Sequence, residues 1–446
     1  MTLPQGWVET TIGEAAIINP KHDPATDRNK LVSFVPMPSV DEHLGAIVEN
    51  AERTLADIWT GYTHFADGDV IFAKITPCME NGKAAIARSL TSGLACGSTE
   101  FYVMRPADGV SADYLWRFVR QSSFRTDAER RMTGAVGQRR VPREYLENHR
   151  FPLPPAPEQR RIVARLDALT AHLARARVEL DRVPVLASNL RLSALDAEYA
   201  SLTAQADRLP LRHFITSLDQ GWSPKCESDP SQSDHTWGVL KTTAIQALEF
   251  RPSENKALPS HLSPRPRTEV QAGDVLVTRA GPRVRCGVTC WVRQTRPKLM
   301  LADKMYRLKS NPERALPPYL ALMLNAPQAL ALLEEMKTGI SDSGLNLTQE
   351  KFLSIPIPSA PLALQREMVD RIELAFARAD RLEAEAVRAR ALIDRLESAI
   401  LAKAFRGELV PQDPNDEPAS VLLDRIRAER AAAPKAKRGR RAKADA

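Results

Sequence analysis

Basic side chains gathered in two stretches are the part of this 446-residue sequence best suited to bind a charged ligand. Residues 117–143 contain eight arginines but only two acidic side chains, and residues 264–309 contain eleven lysines and arginines but only three acidic ones. The planar guanidinium group forms paired hydrogen bonds with phosphate or guanine, whereas the ammonium group of lysine is a point charge. Two separate arginine-rich surfaces therefore favour a nucleic acid as ligand. The alternative for any single arginine is an ion pair on a solvated helix face.

Two loops in these stretches place hydrogen-bonding side chains next to glycines. The first reads TGAVGQRRVPR from Thr133, and the second reads TGISDSGLNLTQEKF from Thr338. Glycine lets a backbone approach its ligand closely, and different polar side chains in the two loops indicate that two different base sequences are read. With neighbouring cations included, the candidate DNA-binding residues are Lys74, Arg125, Arg130, Arg131, Gln138, Arg139, Arg140 and Arg143 in the first half of the chain and Arg279, Arg283, Arg285, Lys304, Ser341, Ser343 and Asn346 in the second.

Residues for catalysis, for a metal or for a cofactor are not predicted. The sequence lacks an Asn-Pro-Pro-Tyr methylation motif and a glycine-rich phosphate loop, and its eight histidines form no pair at the i,i+4 spacing of a metal site. Cys286 and Cys290 lack the second Cys or His pair that a zinc site needs, and Asp69, which precedes a strand, is interpreted as a turn residue. We therefore expect neither enzyme activity nor a bound cofactor.

The elements that position the two loops are duplicated in the sequence. DGDVIFAKI at 67–75 returns as AGDVLVTRA at 272–280, Tyr114 matches Tyr319 at the same offset of 205 residues, and later matches keep an offset of 205 or 206. Short apolar runs after Gly-Asp predict β-strands, and the patterns at 111–132 and 317–336 predict helices. Each copy is therefore expected to be an α+β globule of about 150 residues, a typical domain size.

Two long heptad segments follow proline-rich exits from these globules. Apolar residues alternate in steps of four and three from Ile162 to Ala194 and again, 206 positions later, from Met368 to Ile400. This spacing predicts two coiled-coil helices that pack on each other. Pro184 is expected to kink or interrupt the first helix because it removes a backbone hydrogen bond. The alternative is that each helix packs within its own domain.

The sequence also predicts domain limits and a cellular compartment. The expected segments are a first globule at 1–156, a helix at 157–205, a second globule at 206–360, a second helix at 361–410 and a C-terminal segment at 411–446. The last segment contains a short amphipathic helix, either mobile or used for docking, and a basic tail at 434–446 whose six Lys and Arg against one Asp supply +5 of the net charge of +7. Such a tail is expected to be disordered. With no membrane-spanning run and no signal peptide, a cytoplasmic protein is expected.

Three features together resemble the specificity subunit of type I restriction-modification systems. They are the exit PLPPAPEQRRIV, the twin heptad helices and the ending SAILAKAFRGELVPQDPNDEPASVLLDRI. The resemblance covers nearly the whole chain, and it implies two α+β target recognition domains separated by two long antiparallel coiled-coil helices, an internal pseudo-repeat. Each domain would read one half of a bipartite site in double-stranded DNA, and the helices would set the gap.

The resemblance also implies partners. The chain would bind two methyltransferase subunits through Glu158, Gln159, Gln365, Phe405 and Leu409, and restriction subunits would join the complex for cleavage. The second exit departs from the family pattern because ALQREMV at 363–369 lacks the acidic residue before Gln that the first exit has, and the basic tail is not a family feature. Two other hypotheses are a coiled-coil adaptor whose domains bind protein and an enzyme that cuts DNA by itself.

Overall fold

The computed structural model describes residues 3–432 except residues 136, 227, 232 and 340. The chain divides into two compact units: unit 1 comprises Met1–Glu179 and Ala389–Ala446, and unit 2 comprises Leu180–Arg388. The basic tail predicted at 434–446 lies outside the described residues. Within the described part, no helix is both long and apolar enough to cross a membrane.

Unit 1 starts with an α+β globule. Its strands are β1 (Val8–Thr11), β2 (Ala16–Ile18), β3 (Leu31–Val35), β4 (Val40–Asp41), β5 (Ala46–Ile47), β6 (Ala51–Thr54), β7 (Thr63–Ala66), β8 (Val70–Ala73), β9 (Ala84–Ile86), β10 (Leu94–Gly97), β11 (Phe101–Pro106) and β12 (Arg150–Leu153). Its helices are α1 (Ile12–Ala15), α2 (Leu55–Ile58), α3 (Ala112–Arg120), α4 (Ser122–Arg131) and α5 (Arg143–Asn148). The long helix α6 (Ala156–Gln205) starts in unit 1 and ends in unit 2.

Two four-stranded sheets build the globule of unit 1, in the orders β2-β11-β8-β9 and β6-β3-β10-β7. All four residues of β8 are buried, as expected for the apolar run after Gly68 and Asp69. Helix α3 packs Tyr114 and Leu115 into the core beside this sheet, and the Ser111 hydroxyl caps the helix by accepting the Tyr114 N–H. Asp69 closes the turn before β8, as predicted, by accepting the Ala66 N–H at 2.8 Å.

Unit 2 contains the second globule. Its strands are β13 (Arg208–Pro210), β14 (Ile215–Gln220), β15 (Gly238–Leu240), β16 (Ile245–Gln246), β17 (Glu249–Phe250), β18 (Asn255–Ala257), β19 (Val275–Thr278), β20 (Ala280–Gly281), β21 (Thr289–Trp291), β22 (Leu299–Met300), β23 (Met305–Ser310), β24 (Leu345–Asn346) and β25 (Pro356–Pro358). Its helices are α7 (Pro317–Leu324), α8 (Pro327–Met336) and α9 (Gln349–Leu353), followed by the long helix α10 (Leu362–Phe405), which ends in unit 1.

The sheets of the two units repeat each other. The order β14-β23-β19-β21 in unit 2 corresponds to β2-β11-β8-β9 in unit 1, and β18-β15-β22 corresponds to β6-β3-β10. In both units the second sheet contains one parallel pair, β10 with β3 and β22 with β15. The exits also match, because β12 pairs antiparallel with β1 and β25 with β13. The predicted α+β fold with an internal repeat is thus confirmed.

The helices α6 and α10 pair antiparallel, as predicted. In unit 2, Arg191 binds Glu383 at 2.6 Å, whereas Glu198, further along α6, binds Arg371, nearer the start of α10. In unit 1, Arg177 binds Glu397 at 2.6 Å. These ion pairs flank the apolar seam.

The seam is tightest where each helix passes its globule. Ile162 and Leu166 are buried in unit 1, and Met368 and Ile372 are buried in unit 2. By contrast Leu190, Leu382 and Leu396 are 37–50% exposed, because a pair of helices covers only one side of a leucine.

Helix α6 continues through Pro184, where the sequence suggested a kink or an interruption. Pro184 is exposed and removes one backbone hydrogen bond from a helix of 50 residues, so the predicted interruption does not occur.

The short C-terminal helix α11 (Ala419–Ala432) packs on the core of unit 1. Leu422 and Ile426 are 5% and 2% exposed, and Arg427 donates to a carboxylate oxygen of Glu14 at 2.9 Å. The helix therefore packs on its own chain and is not the mobile, solvated helix of the first alternative, while a docking role toward a partner stays a prediction.

Candidate nucleic-acid interface

Each unit carries a loop that folds back on itself, and the two loops share one backbone frame. We name residues 133–140 the first finger and residues 338–346 the second finger. At the base of the first finger Thr133 and Arg140 exchange two backbone hydrogen bonds of 3.0 and 2.8 Å, and Thr338 and Asn346 do the same in the second at 2.9 and 2.8 Å. The internal repeat therefore extends to individual hydrogen bonds.

A buried tyrosine anchors each finger to the main sheet of its unit. The Tyr102 hydroxyl donates to the Val141 carbonyl at 2.8 Å, and the Tyr306 hydroxyl donates to the Leu347 carbonyl at 2.9 Å. Both tyrosines lie on central strands, β11 and β23, and both are at most 6% exposed. A satisfied hydroxyl in an apolar core fixes the position of the loop that accepts its hydrogen bond.

A basic side chain lies over each anchoring tyrosine. The Lys74 ammonium is 5.2 Å from the Tyr102 ring centre, and the Arg279 guanidinium is 5.6 Å from the Tyr306 ring centre. Burial lowers the pKa of Lys74. Arg279 is further held by hydrogen bonds to the Asp303 carbonyl and to the Asn346 side chain. These two predicted residues therefore lie at the bases of the two fingers.

Carboxylates hold three of the predicted arginines of unit 1. Arg140 forms two hydrogen bonds, of 3.0 and 2.9 Å, with the Glu100 carboxylate, which lowers the pKa of Glu100 and raises that of Arg140. Arg139 lies 3.4 Å from Glu80, and Arg143 donates to Glu147, four residues on, at 2.8 Å. The three arginine side chains remain 38–57% exposed, so a phosphate could compete with these carboxylates.

Three other predicted side chains of unit 1 are unpaired. Arg130 and Arg131, at the end of α4, and Gln138, near the tip of the first finger, are exposed. None of the three forms a side-chain hydrogen bond or ion pair with a residue that the structure describes. They are therefore available to a ligand without loss of an internal contact.

The predicted residues of unit 2 divide in the same way. Arg283 is paired with Glu334 and, at 3.0 Å, with Asp342 of the second finger. Lys304 is exposed, and its side chain contacts no acidic group in the described part of the chain. Ser341 and Ser343 are also exposed, with their hydroxyl oxygens 3.0 Å apart. The second finger thus presents hydroxyls where the first presents guanidinium groups.

Two predicted arginines lie inside the fold instead of at its surface. Arg125 donates to the Glu80 carbonyl at 2.6 Å, and Arg285 donates to the Gln246 side chain at 3.1 Å and to two main-chain carbonyls. Burial lowers the pKa of both guanidinium groups. Because these hydrogen bonds tie the two side chains to loops of the same unit, we infer that both arginines position the loops and are less available to DNA than the exposed arginines.

Comparison with known proteins gives the family. No family model matches the chain. The specificity subunit of the type I restriction enzyme EcoEI from Escherichia coli is 34% identical, with 85% of this chain and 79% of that protein covered. The chain belongs to the specificity subunits of type I restriction enzymes.

Other comparisons agree with this assignment. The specificity subunit of EcoKI from Escherichia coli strain K12 is 28% identical, with 76% of this chain and 75% of that protein covered. The crystal structure of the HsdS subunit from Thermoanaerobacter tengcongensis has the same fold, with a TM-score of 0.66 at 22% identity, covering 92% of this chain and 99% of that chain.

Two of the residues assigned to partner binding serve the fold of this specificity subunit. Gln159 and Gln365 are fully buried at the start of α6 and α10. Each amide oxygen accepts a backbone N–H, from Ser111 at 2.7 Å and from Leu316 at 2.9 Å, and each amide nitrogen donates to two carbonyls. These side chains fasten each long helix to its globule, which corrects the prediction that they contact a partner.

The other three predicted partner residues belong to the core of unit 1 or its edge. Glu158 is 1% exposed and accepts a hydrogen bond from Gln412 at 3.2 Å, and burial raises its pKa. Phe405 is 8% exposed and lies 4.9 Å from the Tyr114 ring. Leu409 is half-buried against the same core, so it alone of the five retains an accessible surface.

Sequence reasoning missed the carboxylates that pair with the arginines. Glu80 and Glu100 were not predicted as part of the surface, although they hold Arg139 and Arg140. They lie 40 to 59 residues before these arginines. No local pattern could identify them, because the pairing depends on how the first finger lies against the sheet.

Proposed function

We propose that this specificity subunit reads a bipartite double-stranded DNA site, with unit 1 reading one half and unit 2 the other. One observation carries the proposal: the two fingers share their hydrogen-bonded frame but differ in their side chains. Arg140 in the first corresponds to Asn346 in the second, and Glu100 beside the first corresponds to Lys304 beside the second. Two related domains that recognise different base sequences need the same backbone frame with different side chains at the DNA-facing positions.

The side chains of the first finger, with those at the end of α4, support contacts with phosphates and guanine. Arg130 and Arg131 need break no internal ion pair to bind phosphate. Arg139 and Arg140 would exchange a partly buried carboxylate for a phosphate or a base. Gln138 supplies a donor and an acceptor of the kind that recognises adenine in the major groove.

The second finger supports a less charged contact. Ser341 and Ser343 can donate to or accept from base edges, and Lys304 supplies a nearby cation. Arg283 is held by two acidic groups, so it would contribute less to phosphate binding than the unpaired arginines of unit 1. We therefore expect the binding energy of the second half-site to depend less on salt.

Methylation and cleavage belong to partner subunits in this proposal. Two methyltransferase subunits would bind the long helices, and restriction subunits would join the full complex. The outer faces of the helices offer apolar side chains that are more than half exposed, namely Val178 and Leu392 in unit 1 and Val185, Leu186 and Val387 in unit 2. Such residues replace the buried exit residues as the candidate partner surface. The comparisons do not support the protein-adaptor alternative.

Methylation mapping tests the proposed function. The chain would be produced in bacteria with the methyltransferase subunit encoded beside it, and methylated adenines would be mapped by sequencing. We expect one sequence of two defined halves separated by an undefined gap of constant length. Cells with the methyltransferase but without this chain are the control. An identical methylation pattern in both cultures, or an uninterrupted recognition sequence, would contradict the proposal.

A further inference from the structure

Unit 1 contains a buried group of two histidines and one cysteine that DNA recognition does not use. His64 on β7 and Cys96 on β10 are direct partners in the antiparallel register of these strands. Residues opposite each other in this way present their side chains on the same face of the sheet. His22, from the connection between β2 and β3, stacks on His64 with 4.6 Å between ring centres. All three are at most 5% exposed.

The possible ligand atoms of the group lie close enough together for one metal ion to bind all three. One ligating atom of each side chain lies within 4.8 Å of the corresponding atoms of the other two. The Cys96 sulfur is 3.9 Å from Nε2 of His22. A nitrogen and a sulfur bound to the same tetrahedral zinc ion are roughly 3.5 Å apart, from the usual zinc bond lengths. Small side-chain movements would therefore bring these donors to bonding distance of one ion.

Backbone carbonyls orient both imidazole rings. Nε2 of His64 donates to the Trp59 carbonyl at 2.8 Å, which leaves the Nδ1 atom with a lone pair. Its present partner is the backbone N–H of His22, at a long 3.3 Å. Nε2 of His22 lies 2.9 Å from the Ala95 carbonyl. His64 therefore has the arrangement common in histidines that bind metals, a hydrogen bond from the other ring nitrogen to a carbonyl, whereas in His22 the same nitrogen faces both Ala95 and Cys96.

The chemistry of the donors selects the ion. Two imidazoles and a thiolate are ligands for zinc, whereas magnesium and calcium require oxygen ligands, and no carboxylate belongs to the group. Burial lowers the pKa of His22 and His64, which favours the neutral form that binds metals. Burial also raises the pKa of Cys96 to about 11, so the thiol would lose its proton on metal binding.

We propose that His22, His64 and Cys96 bind a structural Zn²⁺ ion that fastens the connection between β2 and β3 to the sheet β6-β3-β10-β7 of unit 1. Binding through Nε2 would replace the hydrogen bond between His22 and Ala95 by a metal–nitrogen bond, with the imidazole proton held on Nδ1 instead and the Cys96 thiol proton released to water. The fourth position falls to the Ala95 carbonyl or to water. No second group of this kind occurs in the described part of the chain.

Metal analysis of the full chain tests this site. The protein would be purified without chelator, dialysed against metal-free buffer, and its zinc measured by mass spectrometry. We expect one zinc ion per chain in the unsubstituted protein and loss of zinc in Cys96→Ala and His22→Gln. The control Cys290→Ser alters a buried cysteine outside the proposed site and should keep one zinc ion per chain. Cobalt added to the metal-free protein should give thiolate-to-cobalt charge-transfer absorption that Cys96→Ala lacks.

Thermal unfolding provides a second readout in case a variant binds zinc poorly because it is misfolded. A chelator should lower the Tm of the unsubstituted protein and of Cys290→Ser but not that of Cys96→Ala, whose circular dichroism should stay native. Zinc far below one ion per chain in the unsubstituted protein, with no cobalt absorption, would overturn the proposal and leave a hydrogen-bonded core. Equal zinc in Cys96→Ala and the unsubstituted protein would overturn it as well.

Discussion

Replacement of the two unpaired arginines of α4 should change how DNA binding depends on salt. Arg130 and Arg131 are exposed, and no described side chain neutralises them. If each contacts one phosphate, the variant R130Q/R131Q releases two fewer counterions, so the slope of log affinity against log salt becomes less steep by about 1.8. Between about 50 and about 200 mM salt the variant should therefore lose about 12-fold less affinity than the unsubstituted protein.

The assay is fluorescence anisotropy of a labelled duplex with the complex of this chain and its methyltransferase partner, titrated at four or more salt concentrations. The matched control is R88Q/R150Q, which removes two charges from the same globule. Arg88 and Arg150 are 62% and 82% exposed and are paired with acidic side chains. We expect the control to keep nearly the original slope. Equal slopes for R130Q/R131Q and the unsubstituted protein, or equal changes in both variants, would refute the reasoning.

Three further predictions concern the helices and their attachment. A heptad inserted at matching seam positions of α6 and α10 lengthens the helix pair by about 10 Å. Methylation mapping should then show a gap longer by about three base pairs with both half-sites unchanged, and an unchanged gap would disprove the spacing role. Gln365→Leu removes the partner of one buried and two partly buried backbone groups, so it should reduce the free energy of unfolding, measured in urea, by about 2–4 kcal/mol. The exposed Gln349→Leu should have little effect, and a loss below about 1 kcal/mol in Gln365→Leu would contradict the fastening role. Burial raises the pKa of Glu158 in the folded state. The stability of the unsubstituted protein should therefore fall as the pH rises from the ordinary pKa of the unfolded chain to the raised pKa of the folded chain. Glu158→Gln should therefore have the higher Tm at neutral pH and no advantage below about pH 4, and a lower Tm at neutral pH would count against this account.

The repeat and the long helices could be predicted because their signals are local. The period of apolar residues identifies α6 and α10, and Gly-Asp before an apolar run identifies β8 and β19. The offset of about 205 residues then relates the two copies without any knowledge of contacts. Pro184 was misleading as a signal for interruption, because a proline removes only one backbone hydrogen bond and α6 continues through it.

The state of each charged side chain could not be predicted in the same way. Arg125 and Arg130 look equivalent in the sequence, but one is hydrogen-bonded inside the fold and the other is exposed. The two arginines lie at different positions around α4, and only Arg125 faces the Glu80 carbonyl, which comes from another part of the chain. The group of His22, His64 and Cys96 was missed for the same reason. Strand register joins His64 and Cys96, which are 32 positions apart, and a loop contact joins His22 to His64, 42 positions away.

The most direct test of the central claim, one reader in each unit, is a pair of finger variants compared by methylation mapping. The variant R139Q/R140Q alters the first finger, and S341A/S343A alters the second. The account predicts that each variant changes or relaxes the base preference of one half-site, a different half for each variant, while the other half and the gap are retained. Loss of preference at both half-sites from either variant, with the proteins folded and assembled, would contradict it.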